Sequence, residues 1–388
     1  MIKRMAEKRL LELAKRFKAV AVTGPRQSGK TTLVKKVFPN KPYVSLENPD
    51  SRRFAIEDPR GFLDTYAGGA ILDEVQRTPE IFSYLQEHLD DRRLKGQFIL
   101  TGSNNFQLME SISQSLAGRI GYTHLLPFSL AELKNSKQLP KGDDALMIKG
   151  FYPPVYDQKI PSPDWCANYI TSYIEKDVRQ IKNITDLIVF ERFLSLLAGR
   201  CSQELNNSVL ANETGVDVKT IQSWIGILES SFIIFLLKPH YRNFRKTIVK
   251  RPKIYFYDTS IICSLLRIST ESILRNHPHR GSIFENMVVS EIRKSKIHNH
   301  LESELFYWRD KAEHEVDLII DDGQTLMPIE IKSSMTVPPD GFKNLSWWRN
   351  LSGAESSILL YGGDQYQNRK TGESTMNWRH FLTNFKIK

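Results

Sequence analysis

The sequence predicts an α/β protein whose first domain is built on a parallel sheet, and three observations lead to this fold class. Short apolar runs alternate with amphipathic segments through residues 1–128, which is the pattern of successive βα units. A G-x-x-x-x-G-K-T loop at residues 24–31 lies between one such run and a helical pattern, which is the context that a phosphate-binding P-loop requires. From residue 281 onwards the pattern becomes a helix followed by three strand-like runs, which indicates a second α/β domain.

The composition excludes several classes of protein. The 388 residues suffice for two or three domains, and the apolar and charged fractions of 40% and 25% are ordinary for a globular chain. The apolar run at residues 232–237 is too short to span a bilayer and the charged N-terminal segment lacks a signal-peptide core, so we expect no membrane association. Cys166, Cys201 and Cys263 have neither zinc-site nor disulfide spacing, which favours a cytoplasmic protein. The net charge of +10 weakly favours a polyanionic partner.

The P-loop supplies a set of phosphate-binding groups. Gly24 and Gly29 permit backbone angles that other residues avoid, so the loop amides can point at phosphate oxygens beside a helix N-terminus. The Lys30 ammonium would reach the β- and γ-phosphates, and the Thr31 hydroxyl would ligate Mg²⁺. The predicted nucleotide-binding residues are Gly24, Pro25, Arg26, Gln27, Ser28, Gly29, Lys30, Thr31 and Thr32.

The remaining elements of the first domain follow in order. The pattern predicts helices over 1–17, 53–66, 79–93 and 106–119, the second of them interrupted by Pro59 and Gly61, and strands over 42–46, 69–74, 97–104 and 121–128. Because Asp73 and Glu74 follow a buried strand at the distance from a P-loop that a Walker B segment has, Asp73 would hold Mg²⁺ through water and Glu74 would polarise the attacking water. Ser103 or Asn104, at the end of the next strand, could hydrogen-bond the γ-phosphate or that water, and an ordinary polar strand end is the alternative.

Four motifs together resemble the AAA+-type prokaryotic ATPases that carry a DUF4143 region at the C-terminus. They are the segments 24–32 (GPRQSGKTT), 72–76 (LDEVQ), 100–103 (LTGS) and 115–119 (SLAGR). The resemblance covers nearly the whole chain and implies an AAA+-like module that binds and hydrolyses ATP with Mg²⁺.

In AAA+ assemblies an arginine from a neighbouring subunit or from the lid often completes the γ-phosphate site, so the resemblance leaves a homo-oligomer open. Arg119 is the first choice for that arginine and Arg26 the second, while a surface or helix-capping role for Arg119 is the alternative. The predicted catalytic residues are Lys30, Glu74, Ser103, Asn104 and Arg119, and the predicted metal ligands are Thr31 and Asp73.

The middle of the chain predicts a helical lid or bridge over 129–185 and a winged helix over 186–260. An apolar helix at 187–200 precedes helix-turn-helix spacing with Gly215 in the turn. Two strand-like runs, 232–237 and 253–257, then flank a basic segment that extends from Lys238 to Lys253. Because the second helix offers no arginine for guanine, we expect DNA binding that is led by phosphate contacts and is only weakly specific for sequence. Docking to a protein is the alternative. The predicted DNA contacts are Lys219, Arg242, Arg245, Lys246, Lys250 and Arg251.

The C-terminal pattern brings together groups that a metal ion could use. Strand alternation places Asp317 opposite its apolar neighbours and places Glu330 and Lys332 on one face. Glu285 lies on the apolar face of the preceding helix, where a carboxylate needs a partner such as a hard cation. This order resembles the PD-(D/E)xK nuclease core, which implies metal-assisted phosphodiester hydrolysis by Glu285, Asp317, Glu330 and Lys332. A binding or assembly module without cleavage is the alternative.

These observations predict an ATP-binding and ATP-hydrolysing protein that acts on DNA. The ATPase core would occupy 1–128 and the nuclease-like domain, which has a restriction-endonuclease-like fold, 281–388. Two alternatives stay open. One is a nucleotide-dependent conformational switch whose C-terminal half binds without catalysis, and the other is an ATP-regulated, metal-dependent DNA nuclease.

Overall fold

The computed structural model describes residues 2–91, 94–103, 115–174, 186–240 and 250–384. The chain divides into two units, Met1–Phe128 with Ser230–Phe232, and Ser129–Glu229 with Ile233–Lys388. The segments predicted as lid, winged helix and nuclease-like domain thus fall within the second unit, except for Ser230–Phe232 of the predicted winged helix. Most of the predicted helix 106–119 lies outside the described residues. Among the helices that the structure does describe, none has the length and apolar character needed to cross a membrane.

The first unit is organised around a five-stranded parallel sheet of order β2-β3-β4-β1-β5. Its strands are β1 Ala19–Thr23, β2 Tyr43–Ser45, β3 Ile71–Asp73, β4 Phe98–Gly102 and β5 Ile120–His124. Its helices are α1 Ala6–Arg16, α2 Lys30–Val37, α3 Pro49–Glu57, α4 Pro59–Thr65 and α5 Ile81–Asp90. The interrupted helix predicted over 53–66 is two helices, because Asp58 ends α3 and its side chain accepts a hydrogen bond from the Gly61 amide at the start of α4.

Apolar side chains cover both faces of this sheet, as expected for parallel strands. Leu10 of α1 and Leu33 of α2 belong to the apolar layer on one face. Phe62 of α4 and Phe82 of α5 belong to the layer on the other. Because all five strands run in the same direction, their carboxyl ends meet at one edge of the sheet, which is where ligands of open α/β sheets bind.

The second unit begins with helices and continues into a two-stranded antiparallel pair. Its helices are α6 Leu130–Asn135, α7 Asp143–Lys149, α8 Pro153–Asp157, α9 Ser162–Tyr169, α10 Leu187–Ala198, α11 Asn207–Thr214, α12 Val218–Ser230, α13 Thr259–Leu265, α14 Glu271–Arg275, α15 Arg280–Asn299, α16 Lys343–Ser352 and α17 Trp378–Asn384. Gly215, with φ +78°, makes the turn between α11 and α12, and Phe190 and Phe193 of α10 pack on Trp224 of α12. Strands β6 Ile234–Leu237 and β7 Lys253–Phe256 follow and pair with each other. This is the element order of the predicted winged helix, and residues 241–249 of its basic segment 238–253 lie outside the described residues.

A mixed six-stranded sheet of order β12-β13-β11-β10-β9-β8 forms the C-terminal part. Its strands are β8 Glu304–Arg309, β9 Glu315–Asp321, β10 Leu326–Lys332, β11 Ser357–Tyr361, β12 Gln367–Asn368 and β13 Glu373–Asn377. Strand β11 is parallel to β10 and β13, whereas the other neighbours are antiparallel. Trp348 of α16 packs with Trp308, Ile319 and Leu359 of the sheet, and α15 packs against β7 and β10.

Strand β7 is bonded to the C-terminal part through α15. The Asn286 side chain is fully buried; it accepts a hydrogen bond from Phe256 N (2.8 Å) and donates one to Phe256 O (2.9 Å), as a neighbouring strand would. Nearby, the Tyr307 amide of β8 donates to Lys238 O (3.1 Å) and the His240 amide donates to Tyr307 O (2.8 Å). Because buried backbone groups need such partners, the β6–β7 pair is anchored to the elements that follow it.

Candidate functional site

The P-loop lies after β1 and is held in a compact shape by its lysine. Gly24 and Gly29 have φ values of +150° and +92°, and a Cβ at Gly24 would lie 2.2 Å from Leu125 O. The buried Lys30 Nζ donates to Gly24 O (2.9 Å) and Pro25 O (2.8 Å). The Ser28 hydroxyl is buried and has no hydrogen-bond partner among the described residues. A loop with these properties fits a phosphate group, which would accept from the ammonium and from the loop.

Asp73, at the carboxyl end of β3, lies directly beside the first residues of α2. Thr31 Oγ1 donates to Asp73 Oδ2 at 3.0 Å, the Tyr43 hydroxyl donates to the same oxygen at 2.6 Å, and the Thr101 hydroxyl donates to Oδ1. A hydroxyl and a carboxylate at this distance are oxygen donors of the kind that Mg²⁺ accepts alongside water and phosphate. Thr31 and Asp73 therefore fit the role of metal ligands.

Glu74 has an unusual backbone and two side-chain partners. Its φ of +56° is rare for a residue with a side chain, and such conformations cost about 1–3 kcal/mol and cluster at functional sites. Ser103 Oγ donates to Glu74 Oε2 at 3.1 Å, and Gln76 Nε2 donates to the same oxygen. Ser103, predicted near the γ-phosphate, thus contacts the predicted catalytic carboxylate. Asn104, the other residue predicted for that role, lies outside the described residues.

Arg4 supports the P-loop, a role that no sequence pattern predicts. Its side chain is only 7% exposed; Nη1 donates to Ser28 O (2.7 Å) and Nη2 to Leu126 O (2.5 Å). The guanidinium also lies 4.8 Å from the centre of the Phe128 ring. A basic residue just before an amphipathic helix is common, so only the fold reveals that it joins the loop to the segment after β5. Tyr43 was also missed, because only the fold brings its hydroxyl to Asp73.

Arg119 lies at the opposite edge of the sheet from its own P-loop. Its carbonyl accepts from the amides of Lys18 and Ala19, where β1 begins, whereas the P-loop follows the end of β1. Its guanidinium makes two hydrogen bonds of 2.6 and 2.7 Å to Asp90. Within one chain Arg119 therefore does not reach the phosphate site, and its action on a neighbouring subunit stays a prediction. Arg26 is half-buried within the loop.

The four residues predicted for the nuclease-like site come together around β9, β10 and α15. Asp317 Oδ2 accepts from the Ile331 amide at 2.8 Å, and Lys332 Nζ lies 2.6 Å from Glu330 Oε1. Glu285 Oε1 accepts from the Tyr255 hydroxyl at 2.7 Å. We refer to Glu285, Glu315, Asp317 and Glu330 as the carboxylate cluster.

Lys253 of β7 enters this cluster, which the sequence analysis did not foresee. Its side chain is 2% exposed, and Nζ pairs with Glu285 Oε1 (3.3 Å), Glu315 Oε1 and Asp317 Oδ1 (3.9 Å). Burial alone lowers the pKa of Lys253, but the surrounding carboxylates outweigh it and hold that pKa well above the usual value.

The pKa of two acids in the carboxylate cluster is also raised, which in their case disfavours the charged form. Burial, reinforced by the charge of Asp317, raises the pKa of Glu285 and Glu330. Within the described parts of the chain, no three acidic, histidine or cysteine side chains are arranged to hold a metal ion.

Three of the six predicted DNA-contact residues lie in the part of the chain that the structure describes. Lys219, Lys250 and Arg251 are exposed, whereas Arg242, Arg245 and Lys246 lie outside the described residues. On the second helix of the pair, Thr220 is occupied in capping, because its amide and hydroxyl both donate to Asp217 (2.9 and 2.7 Å). This leaves Lys219 as the cation at the start of that helix.

The parallel sheet, its P-loop and the adjacent Asp73–Glu74 pair define the class of P-loop ATPases. Family models agree: residues 16–134 match an AAA domain, 143–272 match the domain of unknown function DUF8612, and 280–381 match the domain of unknown function DUF4143. The chain is 30% identical over 339 residues to the uncharacterized protein Rv2008c of Mycobacterium tuberculosis, covering 86% of this chain and 74% of the relative. The same values hold for the uncharacterized protein Mb2031c of Mycobacterium bovis. The chain therefore belongs to this family of AAA-type ATPases with a DUF4143 domain, which confirms the predicted family and fold class.

Among solved structures, the Walker-type ATPase PABY2304 of Pyrococcus abyssi is similar at 15% identity and a TM-score of 0.45, covering 69% of this chain and 96% of that one. Similarity at this level carries no inference about function.

Proposed function

We propose that this protein binds ATP with Mg²⁺ at the P-loop and hydrolyses it. The observation that carries the proposal is the contact between Thr31 and Asp73 (3.0 Å), with the Lys30 ammonium inside the loop and Glu74 next in sequence to Asp73. These groups lie at the carboxyl edge of a parallel sheet, which is where the chemistry would require them.

Each residue has a separate task in this proposal. Lys30 would exchange its loop carbonyl partners for the β- and γ-phosphates and neutralise their charge. Thr31 and Asp73 would hold Mg²⁺, which supplies charge stabilisation on the phosphate oxygens when bound. Glu74 would orient the attacking water and accept its proton, as a carboxylate within hydrogen-bond reach can. Ser103 and Gln76 hold the Glu74 carboxylate in one orientation.

Binding is tested by calorimetric titration of the full chain with MgATP. We expect saturable binding by the wild type and a loss of about tenfold to 100-fold in affinity for Lys30→Ala, because hydrogen bonds to charged groups are worth about 1.5–3 kcal/mol. Lys36→Ala is the matched control, since Lys36 lies on the same helix but pairs at the surface with Glu7 (2.6 Å). Absence of any adenine nucleotide uptake by folded protein would end the proposal.

We further propose that the basic groups of the middle segment contact nucleic-acid phosphates. The exposed Lys219, Lys250 and Arg251 support this, as does the helix pair formed by α11 and α12. Since no arginine stands on the second helix, contacts would be to the backbone and only weakly dependent on sequence. Docking of a protein on the same surface is the alternative.

Salt-dependent retention of duplex DNA separates these two partners. The slope of log affinity against log salt is negative for such binding. Replacing Lys250 and Arg251 by alanine should make it shallower by about 2, because each phosphate contact contributes about 0.9. The main-chain carbonyl of Arg251, which accepts from Tyr307, is unaffected by that change. Lys311→Ala with Lys370→Ala removes two other exposed charges and serves as the control. An unchanged slope in the first variant would favour protein docking.

The nuclease alternative has one observation in its favour, which is the convergence of Asp317, Glu330, Lys332 and Glu285. The position of Lys253 among these acids argues against it.

A further inference from the structure

We propose that the carboxylate cluster is closed to divalent cations, because the ammonium group of Lys253 serves as its internal counter-ion. The C-terminal domain would then act as a metal-free module whose cluster joins it to β7. Nothing in this inference depends on ATP binding or hydrolysis, since every residue involved lies in the second unit.

Two acids of the cluster already contact cations of the chain itself. Glu285 Oε1 accepts from both Lys253 and Tyr255. Glu315 pairs with Lys253 through Oε1 and with Arg309 through Oε2 (3.5 Å). A divalent cation held by either carboxylate would lie close to the Lys253 ammonium, and the two like charges would repel each other.

The other two acids of the cluster are engaged in the same way. Asp317 directs Oδ1 at Lys253 (3.9 Å) and accepts the Ile331 amide at Oδ2. Glu330 Oε1 pairs with Lys332. Glu330 Oε2 is a buried oxygen with no hydrogen-bond partner among the described residues, but a cation bound there would share its carboxylate with the Lys332 ammonium, which lies 2.6 Å from Oε1.

The fold holds Lys253 in this position. Lys253 pairs with Leu237 in the β6–β7 ladder and bridges to Glu204 on its other side. The Asn286 amide fixes Phe256, three residues further along β7. The Tyr307 ring lies 5.5 Å from the ammonium. The backbone of Lys253 is thus fixed on both sides, and departure of its buried ammonium would leave three acids without their shared partner, which is costly.

The charge balance of the site points the same way. The ammonium groups of Lys253 and Lys332 pair with all four acids of the cluster, Lys253 with Glu285, Glu315 and Asp317, and Lys332 with Glu330. Arg309 adds a third positive charge 3.5 Å from Glu315. The chain thus supplies most of the opposing charge itself, which a metal ion would otherwise have to supply.

The test is a Mn²⁺ titration of the nucleotide-free full chain, followed by electron paramagnetic resonance of the free ion. We expect the wild type and Asp317→Asn to bind the same number of Mn²⁺ ions per chain. We expect Lys253→Met to bind one ion more than the wild type, because methionine keeps the side-chain bulk and removes the ammonium. Lys250→Met, an exposed lysine three positions earlier, is the matched control and should behave as wild type.

Two outcomes would overturn the inference. If the wild type binds one Mn²⁺ ion more than Asp317→Asn, the cluster is an open metal site. If Lys253→Met folds by circular dichroism but gains no ion, Lys253 is not what excludes the metal. Should Lys253→Met fail to fold, the comparison of wild type with Asp317→Asn decides alone.

Discussion

Replacing Glu74 by glutamine should lower the rate of ATP hydrolysis by about 10²–10⁴-fold, the range that a positioned general base contributes. Glutamine keeps the length of the side chain and an oxygen that accepts from Ser103, but it cannot take a proton from water. The affinity for MgATP should stay within a few-fold, because Glu74 acts on the water and the triphosphate is held by Lys30, Thr31 and the loop. Steady-state phosphate release and calorimetry measure the two effects separately.

Glu80→Gln provides the matched control, since Glu80 is exposed six residues further along the chain. Equal phosphate release by wild type and Glu74→Gln would remove Glu74 from the reaction. A wild type that binds MgATP but releases no phosphate would instead favour the conformational switch.

Replacing Lys253 by methionine should lower the free energy of unfolding by about 3–5 kcal/mol, the cost of removing one partner from a buried ion pair. The change leaves Glu285, Glu315 and Asp317 close together with their shared cation gone. Urea denaturation followed by circular dichroism measures the loss, and Lys250→Met should stay within about 0.5 kcal/mol of wild type, as exposed substitutions do.

A double variant identifies the cause of that loss. Adding Asp317→Asn to Lys253→Met should recover part of the stability, because it removes one of the charges left unpaired, and the two changes would then be non-additive. A Lys253→Met protein as stable as wild type would contradict the assigned ion pairs.

The sequence was sufficient wherever the chemistry lies on neighbouring residues. The P-loop, the Asp73–Glu74 pair and the strand end at Ser103 follow from local order, because a parallel sheet brings the carboxyl ends of its strands to one edge. The helix break at Pro59 was visible as an interruption, although its outcome, two capped helices, was not.

The sequence was insufficient where distant segments meet. Arg4 contacts a carbonyl 122 residues away, and Tyr43 reaches Asp73 from another strand. Lys253 was counted with a basic surface segment. Strand alternation does place Lys253 and Tyr255 on one face, but their common partner Glu285 lies 32 and 30 residues further on. No local pattern connects these positions.

The place of Lys253 in β7 also bears on how the protein can be divided for experiment. The family models end at residue 272 and resume at residue 280, so a cut between them would put the lysine on one fragment and Glu285, Glu315 and Asp317 on the other. The C-terminal fragment would carry an excess of buried negative charge that the intact chain does not have. Metal uptake or poor solubility in such a fragment would then be a product of the cut, and fragments intended for assays should begin before β6.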